Sequence, residues 1–197
     1  MSFDPKRTAL LSMDLQAGIV SVYVKDPELI PRAANLIEQA RKAGMLVVHV
    51  KVGFRPNVPE ASPRNRFLSA VKASPQHQQF FQGQSGEIHP ALTPAESDLV
   101  ITKSRISAFA GTDLELLLRA HDIETLVMFG VATSGVVLAT LQAALDADYS
   151  LFVIQDCCAD SDADLNQVLM SKHFPRMATV ISAEDFLKLL APKSAGA

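Results

Sequence analysis

The chain has 197 residues, which is enough for one α/β domain with a sizeable core. Its net charge of −3 indicates no nucleic-acid-binding face, and no apolar run approaches the roughly 20 residues of a membrane span. Its two cysteines, Cys157 and Cys158, are adjacent and suggest no disulfide framework, which favours a cytoplasmic location. We therefore expect a cytoplasmic protein whose partner is a small-molecule substrate, not nucleic acid or a membrane.

Short apolar runs alternate with helical patterns, which is typical of a parallel sheet with helices on both faces. The predicted strands are Thr8–Met13, Met45–Lys51, Asp98–Thr102, Thr125–Phe129, Ser150–Gln155 and Met177–Ile181. The predicted helices are Pro27–Lys42, Asp113–His121, Val136–Asp148, Asp162–His173 and Ala183–Leu190. The fold class is thus a three-layer α/β/α domain around a six-stranded parallel, doubly wound (Rossmann-like) sheet. It is expected to span residues 1–191, followed by a flexible tail at 192–197.

A long segment, residues 52–97, interrupts this alternation between the second and third strands. It holds six of the eleven prolines and is too long for a plain connection in a compact domain. A short helix is predicted around Arg66–Ala73. Two interpretations stay open: a lid or pocket wall that sets substrate choice, or a segment without such a role, which is either an arm that contacts another subunit or a partly ordered loop.

Three conspicuous residues lie where strands of this predicted sheet end. Asp14 follows the first strand, Lys103 ends the third, and Gly130 follows the fourth. Ligands of doubly wound sheets bind beyond the carboxyl ends of the strands, so the three should meet in one crevice. Neighbouring Asp and Lys side chains shift each other's proton affinity, which suits acid–base chemistry, although a structural ion pair would use the same residues.

The block Gly130–Thr140 follows the fourth strand and opens a helix, and it is rich in small residues. Many α/β enzymes place a nucleophile in such a turn, beneath backbone N–H donors. The position where Cys or Ser is expected holds Val136, which can neither attack a substrate nor donate a proton. The chain has the setting for a nucleophile but lacks the nucleophile.

Three motifs in order resemble those of the isochorismatase-like hydrolases, which include nicotinamidases, N-carbamoylsarcosine amidases and isochorismatases. Leu10–Gln16 is similar to the family's first-strand Asp motif, and Thr102–Leu114 to its Lys motif. Gly130–Thr140 is similar to its nucleophile motif, with Val136 at the position of the family Cys. Asp156–Asp160 also resembles the family's end of the fifth strand. The resemblance covers nearly the whole chain and implies the strand order 3-2-1-4-5-6.

The resemblance implies a hydrolase. In members with Cys, the Asp takes the thiol proton and the Lys supports the charge, whereas isochorismatases have Gly in place of Cys and hydrolyse a vinyl ether with the Asp as general acid. By this resemblance, Asp14 is the general acid/base and Lys103 its electrostatic partner, with no cysteine nucleophile. The bond cleaved is then an ether C–O or a non-peptide C–N bond. Because valine is bulkier than glycine, the substrate is expected to differ in shape from isochorismate.

The resemblance also suggests residues that bind the substrate. Val131, Ala132 and Gly135 are predicted to form an oxyanion turn, in which the family commonly has a cis peptide at the position of Val131-Ala132. Gln16 stands where nicotinamidases carry a metal-binding His, so neither a metal nor another cofactor is expected. Arg105 is predicted to bind a carboxylate, with an ordinary surface arginine as the alternative.

Two other functions remain compatible with the sequence. One is a catalytically silent family member that binds a small ligand or serves as an assembly subunit. The other is a cysteine hydrolase, or amidase, that uses Cys157 or Cys158 in place of the missing nucleophile. His49 has no recognisable partner carboxylate or cysteine and is interpreted as a packed or surface histidine. Since relatives commonly form dimers or tetramers, a homo-oligomer is expected.

Overall fold

The six apolar runs form one parallel sheet in the computed structural model, which describes residues 4–191. The strands are β1 (Thr8–Met13), β2 (Leu46–Val52), β3 (Leu99–Lys103), β4 (Thr125–Gly130), β5 (Ser150–Ile154) and β6 (Thr179–Ile181). Their order is β3-β2-β1-β4-β5-β6, which confirms the predicted order and the α/β class. The predicted tail, residues 192–197, lies outside the described residues, as do residues 1–3.

The centre of the sheet is β1, which pairs with β2 on one side and β4 on the other. All six of its residues are buried, because helices cover both faces of the sheet. This explains why β1 is mostly apolar and lacks the strict alternation of a strand with one solvent-exposed face. Burial of Leu10, Leu11 and their neighbours in β4 contributes to the hydrophobic stabilisation of the fold.

Helices connect the strands. They are α1 (Ala17–Tyr23), α2 (Leu29–Lys42), α3 (Arg66–Ala73), α4 (Pro75–Gln79), α5 (Leu114–Ala120), α6 (Leu138–Asp146), α7 (Ala163–Val168) and α8 (Ala183–Leu190). Asn65 accepts a hydrogen bond from the Leu68 N–H at the start of α3, and Ser182 does the same for Asp185 in α8. Gly44 follows the end of α2 with a φ of 80°, the left-handed conformation with which helices commonly end.

The structure differs from the predicted helices at several boundaries. No helix was predicted at α1, because its β-branched residues Ile19, Val20 and Val22 have low helix propensity. The predicted start at Pro27 was wrong by two residues, since α2 begins at Leu29. Helical backbone starts at Thr133, before the predicted Val136, because a π-helical turn (Thr133–Val137) precedes α6. The predicted helix Asp162–His173 is α7 followed by a second π-helical turn, Leu169–His173.

The long segment between β2 and β3 is folded onto the domain. It contains α3, at the bounds predicted for it, together with α4 and short 3-10 turns at Gly83–Gly86 and Pro90–Leu92. Buried Leu68 and Val71 anchor α3. The segment also pairs with the residues after β1, where the Ala17 N–H donates to Glu87 O at 2.9 Å. Whether it serves as a lid or a subunit contact stays a prediction.

Candidate active site

The sheet brings Asp14 and Lys103 together as their positions at strand ends predicted. Asp14 directly follows β1, Lys103 is the last residue of β3, and β2 lies between these strands. The Lys103 side chain spans β2, and its Nζ lies 2.8 Å from Asp14 Oδ2. Residues separated by almost half the chain therefore form one ion pair at the carboxyl edge of the sheet.

This ion pair is buried, with only 5% of Asp14 and 2% of Lys103 exposed. Lys103 Nζ also donates to the Arg105 carbonyl at 3.0 Å, and the Asp14 N–H donates to Val50 O at 2.8 Å. Within the described residues, Asp14 Oδ1 is buried and has no hydrogen-bond partner. One carboxylate oxygen is thus held by Lys103, while the other is buried without a hydrogen-bond partner in the described part of the chain.

Burial dominates the proton affinity of Asp14. Desolvation raises the pKa of Asp14 from 3.8 to about 6, although the charge and hydrogen bond of Lys103 act in the opposite direction. A carboxyl group with a pKa near 6 both gains and loses protons close to neutral pH. Such a group meets the energetic requirement for a general acid or base.

Gly130 places the turn after β4 against the residue that precedes Asp14. The Val131 N–H donates to Met13 O at 3.1 Å, and Gly130 has a φ of 151°. A Cβ atom at Gly130 would lie 2.1 Å from Met13 O, so no larger residue fits without movement. The next peptide bond, Val131-Ala132, is cis, at the position suggested by the family resemblance.

Several N–H groups of this turn already have acceptors within the protein. The Thr133 N–H donates to Ala159 O at 2.9 Å, the Ser134 N–H to Asp160 Oδ2 at 2.7 Å, and the Gly135 N–H to Ala132 O at 3.1 Å. These bonds fix the turn against the residues that follow β5. The assignment of Val131, Ala132 and Gly135 to an oxyanion site stays a prediction.

Val136 lies inside the π-helical turn and is 3% exposed. It belongs to the hydrophobic core together with Val137 and Leu141. Its side chain therefore contributes apolar packing and no reactive group to this edge of the sheet.

Gln16 acts as a clamp between two segments. Its Nε2 donates to Val52 O at 3.0 Å and to Gly86 O at 2.7 Å, and its Oε1 accepts the Val52 N–H at 2.7 Å. The amide thus ties the end of β2 and the long segment to the residues after Asp14. The sequence suggested Gln16 only as a substrate-binding residue, because its backbone partners are distant in the chain.

The adjacent cysteines are poor nucleophiles in this environment. Both thiols are free and buried. Desolvation raises the pKa of Cys158 to about 12, and desolvation together with the neighbouring Asp156 raises that of Cys157 further above its ordinary range. Because the thiolate is the attacking form, these environments disfavour the cysteine-hydrolase alternative.

An open cleft of about 860 Å³ lies at the carboxyl ends of β2 and β3. Thr102 and Ser104, the chain neighbours of Lys103, line it, whereas Lys103 and Asp14 themselves do not. Arg105 lines it, is exposed, and donates from Nη1 to Ser104 O at 2.7 Å. Phe54 and Phe81 also line it, and their ring centroids are 5.3 Å apart in an edge-to-face arrangement. No local pattern singles out Phe54, since only the fold of residues 52–97 brings it to Phe81.

Within residues 4–191, no group of three or more His, Cys, Asp or Glu side chains is placed to hold a metal ion. None of the helices in this range is long and apolar enough to cross a membrane.

The strand order and the layered helices make this chain a doubly wound α/β protein. The model of the Isochorismatase domain matches residues 8–185, which is most of the chain. The chain therefore belongs to the isochorismatase family.

Individual relatives agree with this assignment. The isochorismatase family protein YecD from Escherichia coli O157:H7 is 33% identical over 196 residues, covering 96% of this chain and 100% of its own. The ureidoacrylate amidohydrolase RutB from Methylorubrum extorquens strain AM1 is 31% identical, covering 79% of this chain and 71% of its own. An isochorismatase family protein from Burkholderia thailandensis superposes with a TM-score of 0.85 at 26% identity, covering 97% of this chain and 98% of its own.

Proposed function

We propose that this protein hydrolyses a small molecule with water as the nucleophile, Asp14 as the general acid/base and Lys103 as its electrostatic partner. The observation that carries the proposal is the buried Asp14 carboxyl group, which has one oxygen on Lys103 and one without a partner. Val136 supplies no nucleophile, and the two thiols are buried. Relatives named as amidohydrolases support hydrolysis as the reaction class.

In this mechanism Asp14 alone donates the proton and later recovers it. In hydrolysis of a vinyl ether, protonated Asp14 donates to the enol carbon, water adds to the resulting cation, and the proton lost by that water returns to Asp14. The hemiketal formed then collapses to a carbonyl compound and an alcohol. Lys103, whose Nζ lies 2.8 Å from Asp14 Oδ2, stabilises the carboxylate between the two proton transfers. No covalent enzyme intermediate is required.

The decisive experiment compares hydrolysis by the wild-type protein with that by Asp14→Asn. The panel pairs isochorismate, assayed by pyruvate release, with the C–N substrates ureidoacrylate and maleamate, assayed by ammonia release. The expected result is hydrolysis of at least one compound, with a rate about 10²–10⁴-fold lower in Asp14→Asn, the usual contribution of an acid–base group. Asp148→Asn is the matched control, because Asp148 is exposed and lies after α6, and it should keep the wild-type rate.

Asp14→Asn alters a buried ion pair, so its fold has to be verified by circular dichroism. The pH dependence of the wild-type protein gives an independent test that needs no variant. If Asp14 is the acid, kcat/KM falls as the pH rises through about 6, the pKa of its carboxyl group. A value of kcat/KM that is constant between about pH 5 and 8 would contradict this role for Asp14.

The runner-up function is a catalytically silent member that binds a small ligand. It is favoured by the depth of the ion pair, since so little of Asp14 or Lys103 is exposed. A silent member would bind its ligand without turnover, and Asp14→Asn would leave the binding unchanged.

The cysteine alternative is separated from our proposal by alkylation. Because burial holds both thiols protonated, we expect the folded protein to keep its activity after treatment with iodoacetamide. Loss of activity in proportion to alkylation of Cys157 or Cys158 would instead favour a thiol nucleophile.

A further inference from the structure

The charges that line the cleft beside the ion pair do not balance. Three cations, Lys51, Arg55 and Arg105, face two carboxylates, Glu60 and Glu87. Lys51 Nζ lies 2.8 Å from Glu87 Oε2, and Arg55 Nη1 lies 2.8 Å from Glu60 Oε1. Within residues 4–191, Arg105 forms no ion pair, so the cleft contains one uncompensated positive charge.

Arg105 is held in place without losing its capacity to bind. Among the described residues, only one of the five guanidinium N–H groups has an acceptor, the Nη1 bond to Ser104 O. Ser104 is itself fixed, because its hydroxyl donates to Gly53 O at 2.8 Å. The remaining N–H donors match the planar, two-oxygen geometry of a carboxylate.

The rest of the cleft is suited to a flat apolar group. Phe54 and Phe81 form an edge-to-face pair in its wall, and both are only partly exposed. Aromatic walls favour planar ligands, through stacked or edge-on contacts.

The backbone around Arg105 connects the cleft to the buried ion pair. Lys103 Nζ donates to the Arg105 carbonyl, and Gln16 holds Val52 and Gly86, two further residues of the cleft wall. A ligand seated on Arg105 would therefore lie against the same structural unit that positions Asp14 and Lys103.

We propose that this cleft binds a small carboxylic acid with a planar body, the carboxylate on the Arg105 guanidinium and the body against Phe54 and Phe81. The inference rests on the proposed function only in taking the bound acid as the substrate. It makes Arg105 the residue that selects acids over neutral analogues.

Calorimetric titration with benzoate and benzamide tests this proposal, because the two probes share shape and differ in charge. At low ionic strength the wild-type protein should bind benzoate roughly tenfold or more tightly than benzamide, the usual effect of a charge-assisted hydrogen bond. Arg105→Gln should abolish that preference. Arg64→Gln should keep it, because Arg64 is an exposed arginine of residues 52–97 that does not line the cleft. Phe81→Leu should weaken both probes alike.

The proposal is overturned if the wild-type protein binds both probes equally, or if the preference survives in Arg105→Gln. It is also overturned if benzoate does not bind at about 10 mM, because fragments of this size bind at roughly millimolar concentration. An unchanged affinity of Phe81→Leu for both probes would reject the aromatic wall. These titrations require no turnover, so benzoate binding without Asp14-dependent hydrolysis would uphold the cleft and reject only the proposed function.

Discussion

At the scale of single residues, the candidate site depends on a few positions where backbone and side chain leave little freedom. Asp14 adopts a φ of 56°, and Gly130, in the adjacent strand end, one of 151°. An Asp tolerates the left-handed region better than most residues, whereas the position of Gly130 also excludes any side chain. These two residues determine how closely the end of β1 approaches the turn that holds Val136.

We expect Gly130→Ala to destabilise the protein by about 3 kcal/mol or more, since its Cβ would overlap Met13 O in addition to the unfavourable φ. Gly44→Ala is the matched control. Gly44 also has a positive φ, 80°, but its Cβ would meet no atom within 4 Å, so only about 1 kcal/mol should be lost. Urea unfolding of both variants measures the difference, and equal losses would show that the contact with Met13 is unimportant.

At the scale of elements, two polar clusters join parts of the chain that are far apart in sequence. Gln16 ties β2 to the long segment, as described above. The second cluster joins α2, β2 and the loop before β3, where Arg41 donates to both carboxylate oxygens of Asp98, and His49 Nε2 lies 3.2 Å from Asp98 Oδ2. The interpretation of His49 as a packed histidine is confirmed by its 1% exposure. The prediction that His49 has no partner carboxylate was wrong, because the fold brings Asp98, 49 residues further along the chain, against its ring.

We expect Gln16→Glu to lower stability by roughly 1–3 kcal/mol, because a carboxylate cannot donate to Val52 O and Gly86 O and would leave those carbonyls unpaired. The segment around Gly86 should then exchange its amide hydrogens faster, as measured by hydrogen–deuterium exchange. Half-buried Gln78→Glu serves as the control, although it also loses its bond to Lys72 O. Unchanged exchange near Gly86 in Gln16→Glu would contradict the clamp.

The His49 cluster predicts a dependence of stability on pH. Burial lowers the pKa of His49 below its ordinary 6.5 despite the opposing effect of Asp98. The unfolded chain therefore takes up this proton at a higher pH than the folded protein does. The contribution of His49 to stability is present above pH 6.5 and is lost as the pH falls through the lowered pKa.

Thermal unfolding between about pH 5 and 7 measures this effect. The decline in Tm on acidification should be smaller in His49→Gln than in the wild-type protein. His121→Gln, at an exposed histidine after α5, should retain the wild-type decline. Burial alone would raise the pKa of Asp98, but Arg41 and the Ala95 N–H outweigh it and hold this pKa below the ordinary carboxyl range. The stability that depends on ionised Asp98 is therefore lost at a lower pH than the stability that depends on His49. Identical declines in His49→Gln and the wild-type protein would contradict the role of His49.

At the scale of the whole molecule, the described surface carries large apolar side chains that are not covered. Leu116 of α5 is 67% exposed and Phe67 of α3 is 54% exposed. We expect the 21.3 kDa chain to form a dimer or tetramer that covers part of this surface. Sedimentation equilibrium at micromolar concentration checks the assembly, and a mass of one chain at every concentration would reject it.

The sequence by itself determined the fold class, the strand order by resemblance, and the residues that meet at the carboxyl edge of the sheet. Strands such as β1 and β4 are identifiable because a parallel sheet buried on both faces favours predominantly apolar runs, which are local patterns. Asp14 and Lys103 were found for a related reason: parallel strands all end at the same edge.

Only the tertiary structure decided the burial, the hydrogen-bond partners and the charge pairing of those residues. The raised pKa of Asp14 comes from burial by groups distant in sequence, and the partners of Gln16 and His49 lie 36 to 70 residues away. Helix α1 forms against its local propensity, because Gln16 and Ala17 are held by the long segment. The unpaired charge of Arg105 is likewise visible only once Lys51 and Arg55 are seen to be neutralised. Burial, pairing and charge balance depend on contacts that no local pattern encodes, which is why they emerge only in the folded chain.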